Sequence, residues 1–518
     1  MMRLLLFLVL AVVAALTGVT AAQAAAFDLA GPRLEVRVTH GGITLPIGQT
    51  PNLSPGDKLW IKADLPPGQS VRYLLVAGFL RGATNPPPKD WFAASETWTP
   101  KGAAGLQVTV PVGAQQILLF LAPSTGGDFD TIVGAVRQHP GIFVRASQAL
   151  NQADLDHSRL AVFLGSVERS NPDQLKAVSP VLAGSLSIKL DEACLKKATG
   201  VLAACLTQDQ DSLVLNDGHS ISLVQALTSG TSVDLAQQLS YTPRAGAGYY
   251  SPYVSSVIAL ARILDSFRTA QFQYIPTVGA AQGEQLSLLL NSPPSFQNPK
   301  SVLVVALPAV TPPQVPPLHA VDPDQAYCLR KPGLVLPAQG APLVFSTGFA
   351  HDLVLHVGAG RGLDLPVLAD AEKGGFTLDP GALDATRAGA AAAADEGVIR
   401  GRWGFEPYEG PRFKLQAPRG GAWTREASPA DLVQGANQTV ALNGPAAACV
   451  SGVTIAGGAA VSWRVTAPHR IEVNLPLKEA RPPDASGPAV RPGPAGCGDT
   501  ANLCRAQPPG QRGLPFRR

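Results

Sequence analysis

Charge is scarce in this chain: Asp, Glu, Lys and Arg make up 15% of its 518 residues, and the formal net charge is only +3. No Lys/Arg-rich run or basic stripe appears, so the electrostatic footprint of a nucleic-acid partner is missing. Past residue 26, no apolar stretch reaches the unbroken length of about 20 residues that a membrane helix needs. C-x-x-C pairs are absent, which argues against zinc ribbons and thioredoxin-type redox chemistry. H-E-x-x-H is absent too, and the reading carries no metal and no other cofactor.

What the chain does have is an export leader over Met1 to Ala26. Arg3 supplies the positive n-region, Leu4 to Leu16 the short apolar core, and small residues lead to Ala22-Gln23-Ala24 or Ala24-Ala25-Ala26 as the cleavage site. The mature chain is therefore expected to be secreted or periplasmic. No cysteine follows the leader to take a lipid anchor.

A chain of this length exceeds a single core, and its 46% hydrophobic content can fill several. Its 52 glycines and 47 prolines punctuate short extended segments. That pattern predicts a mainly β, multi-domain protein, with immunoglobulin-like β-sandwich units flanking a mixed α+β unit. The Cys-Trp-Cys core signature of antibody domains is lacking, so the likeness is one of architecture.

Residues 27–123 read as the first sandwich. Leu34, Val36 and Val38 alternate with polar residues, Val71 to Leu80 is apolar on both faces, and Leu106, Val108 and Val110 alternate again. The period changes in 124–308. Phe143, Ala146, Leu150, Ala153, His157, Leu160 and Leu164 share one helical face, and Ser251-Pro252 opens a second helix. Extended segments follow at Phe272–Ile275, Leu286–Leu290 and Val302–Leu307. A proline-rich linker over 309–319 leads to further sandwiches at 320–418 and 419–478. Among their expected strands is Leu343 to Phe345. Residues 479–518, rich in Pro and Gly, are expected to be a disordered tail.

Six cysteines in an exported chain read as disulfides, although six allow fifteen connectivities. Proximity in sequence favours Cys194 with Cys205 and Cys497 with Cys504, leaving Cys328 for Cys449.

Motifs for catalysis fall short. Gly218-His219-Ser220-Ile221-Ser222 lacks the second glycine of a nucleophile elbow, and Asn216-Asp217-Gly218 reads as a turn. Asp209-Gln210-Asp211 starts like a calcium loop, but Leu213 takes the next ligand position. His351 and His356, five apart, point to opposite faces of a regular strand. No catalytic residue is assigned. Ligand or partner contact is placed on Trp403, Phe405, Glu406, Tyr408 and Glu409, where aromatic faces for stacking and carboxylates for hydroxyl groups share a Gly/Pro-stiffened loop. Trp91, Phe92 and Trp98 form a second aromatic cluster.

The leading expectation is a non-enzymatic envelope or extracellular protein whose sandwich modules bind a polysaccharide or a protein. The alternatives are a carbohydrate-active hydrolase whose paired carboxylates meet only in space, and an adhesin or fibre subunit with an open sheet edge.

Overall fold

The computed structural model describes residues 29–65, 72–82, 85–123, 128–190, 192–207, 214–215, 271–290, 292–358, 362–378, 395–418, 420–426, 437–454 and 460–476. The leader, the Gly218 and Ser251 motifs, the Asp209 loop, the tail and Cys497 with Cys504 lie outside them. The chain divides into two compact units: residues up to 160 with 190–197 and 203–312, and residues 161–189 with 198–202 and 313 onward. Both are built mostly from sheets.

In chain order the first strands are β1 (Leu29–His40), β2 (Ile43–Pro46), β3 (Lys58–Asp64), β4 (Tyr73–Leu80), β5 (Phe92–Glu96), β6 (Leu106–Thr109) and β7 (Gln116–Pro123). A short helix, α1 (Pro100–Ala103), lies between β5 and β6; α2 (Asp128–Gln138), α3 (Pro140–Arg169) and α4 (Pro172–Leu186) follow β7. Then come the two-residue strands β8 (Ile188–Lys189) and β9 (Val214–Leu215), with α5 (Glu192–Leu195) and α6 (Thr199–Thr207) between them. Strands β10 (Phe272–Gln282), β11 (Gln285–Leu290) and β12 (Lys300–Ala306) complete the first unit.

Ten of these strands share one sheet in the order β5-β4-β7-β12-β10-β11-β1-β3-β6, with β2 hydrogen-bonded to β1. The strands from 272–306 thus form a central block between β5-β4-β7 and β1-β3-β6; β1 pairs with β11, and β7 with β12. Only β10 and β12 run parallel in this sheet. The alternation in β1 is real: Leu34, Val36 and Val38 are fully buried. β4, β7 and β12 are buried along their whole length.

One face of those strands meets the helices. Val76 and Leu80 of β4, Leu118 and Phe120 of β7, and Val302 and Val304 of β12 pack with Ile132 and Val136 of α2 and Phe143 and Leu150 of α3. Phe120, Phe143 and Tyr274 meet edge to face. The helical face expected from Phe143 to Leu164 is seen in α3, where Phe143, Ala146, Leu150, Ala153 and Leu160 are buried and His157 is half-buried.

The second unit contains β13 (His319–Ala320), β14 (Ala326–Cys328), β15 (Val335–Gln339), β16 (Ala350–Val357), β17 (Leu363–Asp370), β18 (Gly375–Leu378), β19 (Glu396–Trp403) and β20 (Glu406–Gln416). They form one sheet in the order β13-β15-β18-β17-β16-β19-β20-β14. Leu343 to Phe345, expected as a strand, instead belongs to α7 (Pro342–Ser346). Pro342 stands in its first turn, where a fixed φ suits a helix and no N–H is required. A separate four-stranded sheet, β21-β22-β24-β23, takes β21 (Thr424–Arg425), β22 (Asn437–Asn443), β23 (Trp463–Ala467) and β24 (Arg470–Pro476). Its core holds Val440, Leu442, Val453, Val461, Ile471 and Val473.

Candidate functional site

The loop singled out in the sequence is a tight hairpin. Trp403, the last residue of β19, pairs with Glu406, the first of β20, and Gly404-Phe405 makes the turn. Gly404 has φ +59°, a left-handed conformation that favours glycine. Its N–H donates to the Phe349 carbonyl at 2.9 Å. Arg402 Nη1 donates to the Phe405 carbonyl at 3.1 Å, and His351 Nε2 lies 3.0 Å from the Gly404 carbonyl.

The five residues expected to make contacts divide between core and surface. Trp403 is buried, with its ring edge-on to Phe349 at 5.6 Å. Tyr408 is buried as well, its hydroxyl without a hydrogen-bond partner, and burial pushes its phenol up to about 12. Phe405 and Glu406 are half-buried and Glu409 is exposed. Glu409 accepts from Arg412 Nη2 at 3.0 Å, an exposed pair of small energetic weight. Of the five, Phe405, Glu406 and Glu409 therefore reach the surface of the hairpin. Aromatic composition cannot tell which face of a strand a ring occupies; that depends on register, here displaced by a bulge between Val398 and Arg400.

His351 and His356 on β16 each have their own carboxylate. His356 Nδ1 lies 2.6 Å from Asp364, and His351 Nδ1 lies 2.9 Å from Asp352. The strand is not regular between them. Pairing of β16 with β19 slips between His351 and Val354, and Asp352 has φ +51°. A His-Asp dipeptide was the only trace of this in the sequence.

The second aromatic cluster is also divided. Phe92 is buried, whereas Trp91 and Trp98 are half-buried beneath the guanidinium groups of Arg81 and Arg72, at 5.6 and 6.0 Å.

Two disulfides are present among the described residues, Cys194–Cys205 and Cys328–Cys449, as sequence proximity suggested. The second joins β14 of the larger sheet to the turn after β22. Gln416 reinforces the junction: its Oε1 accepts from the Ala448 N–H at 2.9 Å and its Nε2 donates to the Pro468 carbonyl at 2.5 Å. Beside it opens a shallow cleft of about 360 Å³, with Asp395, Lys414, Gln416 and His469 among its polar residues. Nothing in the sequence joined these four, which lie up to 74 residues apart. Lys414 Nζ bonds Asp324 at 2.7 Å and holds that carboxyl below its ordinary range.

No protein-family model matches the chain, and no curated protein matches it at a significant level.

Proposed function

We propose that this is an exported, non-catalytic protein of a bacterial envelope or extracellular space, whose sheet-built modules present binding surfaces to a polysaccharide or a protein. On this reading the sheet units are immunoglobulin-like sandwiches, and Met1 to Ala26 is a leader removed on export. The observation that carries it is the pair of disulfides. Such bonds persist in oxidising compartments and are rare where thiols are kept reduced. The mainly β architecture, and the lack among described residues of a helix long and apolar enough to cross a membrane, agree with it.

Contact falls to the exposed side of the β19–β20 hairpin: Phe405 as the apolar element, Glu406 and Glu409 as acceptors for hydroxyl or N–H groups. Export is tested on protein purified from its native host, by N-terminal sequencing and thiol titration. A start near residue 25 or 27 without free thiols supports the reading; an intact leader with titratable thiols refutes it. Contact is tested on a glycan array with the full mature chain. Glu409→Ala and Phe405→Ser are expected to lose the signal while keeping the wild-type unfolding temperature. Retention of full binding by both variants removes the hairpin from the contact surface.

A further inference from the structure

The tip of the β19–β20 hairpin is held by a histidine that faces two acceptors. Nδ1 of His351 lies 2.9 Å from Asp352 Oδ2, and Nε2 lies 3.0 Å from the Gly404 carbonyl oxygen. A carbonyl oxygen only accepts, and so does an ionised carboxylate. Neutral imidazole offers one N–H and one lone pair, so it satisfies a single member of this pair. Imidazolium donates to both. The imidazole is only 9% exposed whereas the Asp352 carboxylate is 77% exposed, so water can replace a lost bond on the Asp352 side and not on the Gly404 side.

The backbone is shaped for this contact. Sequence neighbours in a regular strand point to opposite faces, so His351 and Asp352 would not meet in one. They meet because β16 bulges there and Asp352 takes a left-handed φ of +51°. Asp is among the few residue types, besides glycine, that tolerate this region. On the facing strand, Gly401 makes room: a Cβ there would lie 2.8 Å from the His351 carbonyl oxygen and 3.2 Å from that of Asp352. The charged groups around the ring are Asp352 beside it, Arg402 at its register position on β19, and Glu406 across from Trp403 on β20. Arg402 repels an imidazolium and the Asp352 carboxylate offsets that repulsion.

We propose that His351 is a pH-operated latch: doubly protonated, it ties the Gly404–Phe405 turn to Asp352, and neutral, it releases one of the two. Histidine changes charge between about pH 5 and 8. The two-bond tie needs both ring N–H groups, so it is complete where the ring is doubly protonated and loses a bond where it is neutral. As a control over partner contact the latch rests on the binding reading above; as a property of the hairpin it does not.

The test is a pH series from about 5.5 to 8 on the full mature chain carrying ¹⁵N-histidine and ¹⁵N-glycine, followed by NMR. His351 is expected to show two ring N–H groups at the acid end and one at the alkaline end, with the Gly404 amide shifting at the same inflection. His351→Gln abolishes the Gly404 inflection. Asp352→Asn tolerates the bulge and can either accept from or donate to Nδ1, so neutral imidazole keeps both bonds and the Gly404 inflection is lost. A His351 ring with a single proton throughout, or a Gly404 inflection unchanged in His351→Gln, overturns the latch. Should His351→Gln fail to fold, an unchanged Gly404 inflection in Asp352→Asn overturns it equally. Glycan binding that stays flat across a working titration removes the regulatory role alone, whereas no binding at any pH counts against the contact reading.

Discussion

Replacing Cys328 and Cys449 by alanine should destabilise the protein more than the same change at Cys194 and Cys205. Cross-linking removes conformations from the unfolded chain, more of them the longer the loop it closes. The first pair is separated by 121 residues and the second by 11. In the chain-entropy relation these loops correspond to about 4.9 and about 2.8 kcal/mol at 25 °C. The long-loop bond also fastens a small module, whose described core of Val440, Leu442, Val453, Val461, Ile471 and Val473 has little apolar area with which to hold itself together. Alanine suits both positions, since Cys328 and Cys449 are buried against Ala446 and Ala448. The Gln416 bonds to Ala448 and Pro468 survive the change and keep the sheet tethered, though more weakly. Urea unfolding of the two double variants, followed by circular dichroism and by hydrogen exchange over β22 to β24, measures the difference. Exchange should accelerate in those strands for the Cys328/Cys449 variant alone. The reasoning fails if Cys194/Cys205 removal costs as much, or if the long-loop variant loses less than about 2 kcal/mol, below the usual range for a native disulfide.

Three further outcomes follow from single buried groups. Tyr408→Phe should be neutral or stabilising by up to about 1 kcal/mol in urea unfolding, because the hydroxyl it removes is buried without a partner. Burial that pushes the wild-type phenol up to about 12 penalises its ionised form, so the folded state loses stability as pH rises from the ordinary tyrosine value of about 10 through the folded value. An alkaline titration of tyrosine absorbance should therefore show a late component that Tyr408→Phe removes. Asp154 accepts the Gly279 N–H at 2.7 Å, yet burial holds its carboxyl well above the ordinary value, so its contribution falls as pH rises; Asp154→Asn should flatten that decline in thermal melts across acid to neutral pH. Phe120→Ala, beneath Phe143 and Tyr274, should cost about 3–5 kcal/mol in urea unfolding, and a loss under about 1 kcal/mol would show that this core collapses around the gap.

What could be read from residue order was local. Leu34, Val36 and Val38 announced a half-buried strand because alternation is a property of one segment, and Phe143 to Leu160 announced a helical face for the same reason. Cys194 and Cys205 were close enough to pair on distance alone. Pairing between distant strands was not legible: nothing in Leu29 names Leu290 as its neighbour. The candidate loop was found, but not its orientation. Trp403 and Tyr408 turn inward because the register of β19 and β20 sets their faces. His351 went unrecognised for a related reason, since the five-residue count to His356 assumes a regular strand and the bulge at Asp352 breaks it.

The ten-stranded sheet also sets an order of events for its own assembly. β1 pairs with β11 from Leu29↔Leu290 to Glu35↔Gln285, and β7 pairs with β12 from Leu121↔Leu303 to Leu118↔Ala306. Without β10 to β12 the leading strands pair among themselves, β1 with β2 and β3 and β7 with β4, but β1 and β7 each keep one flank open. The sheet of the first unit therefore closes only once both its first seven strands and β10 to β12 are present, and until then β1 and β7 each keep an unpaired edge.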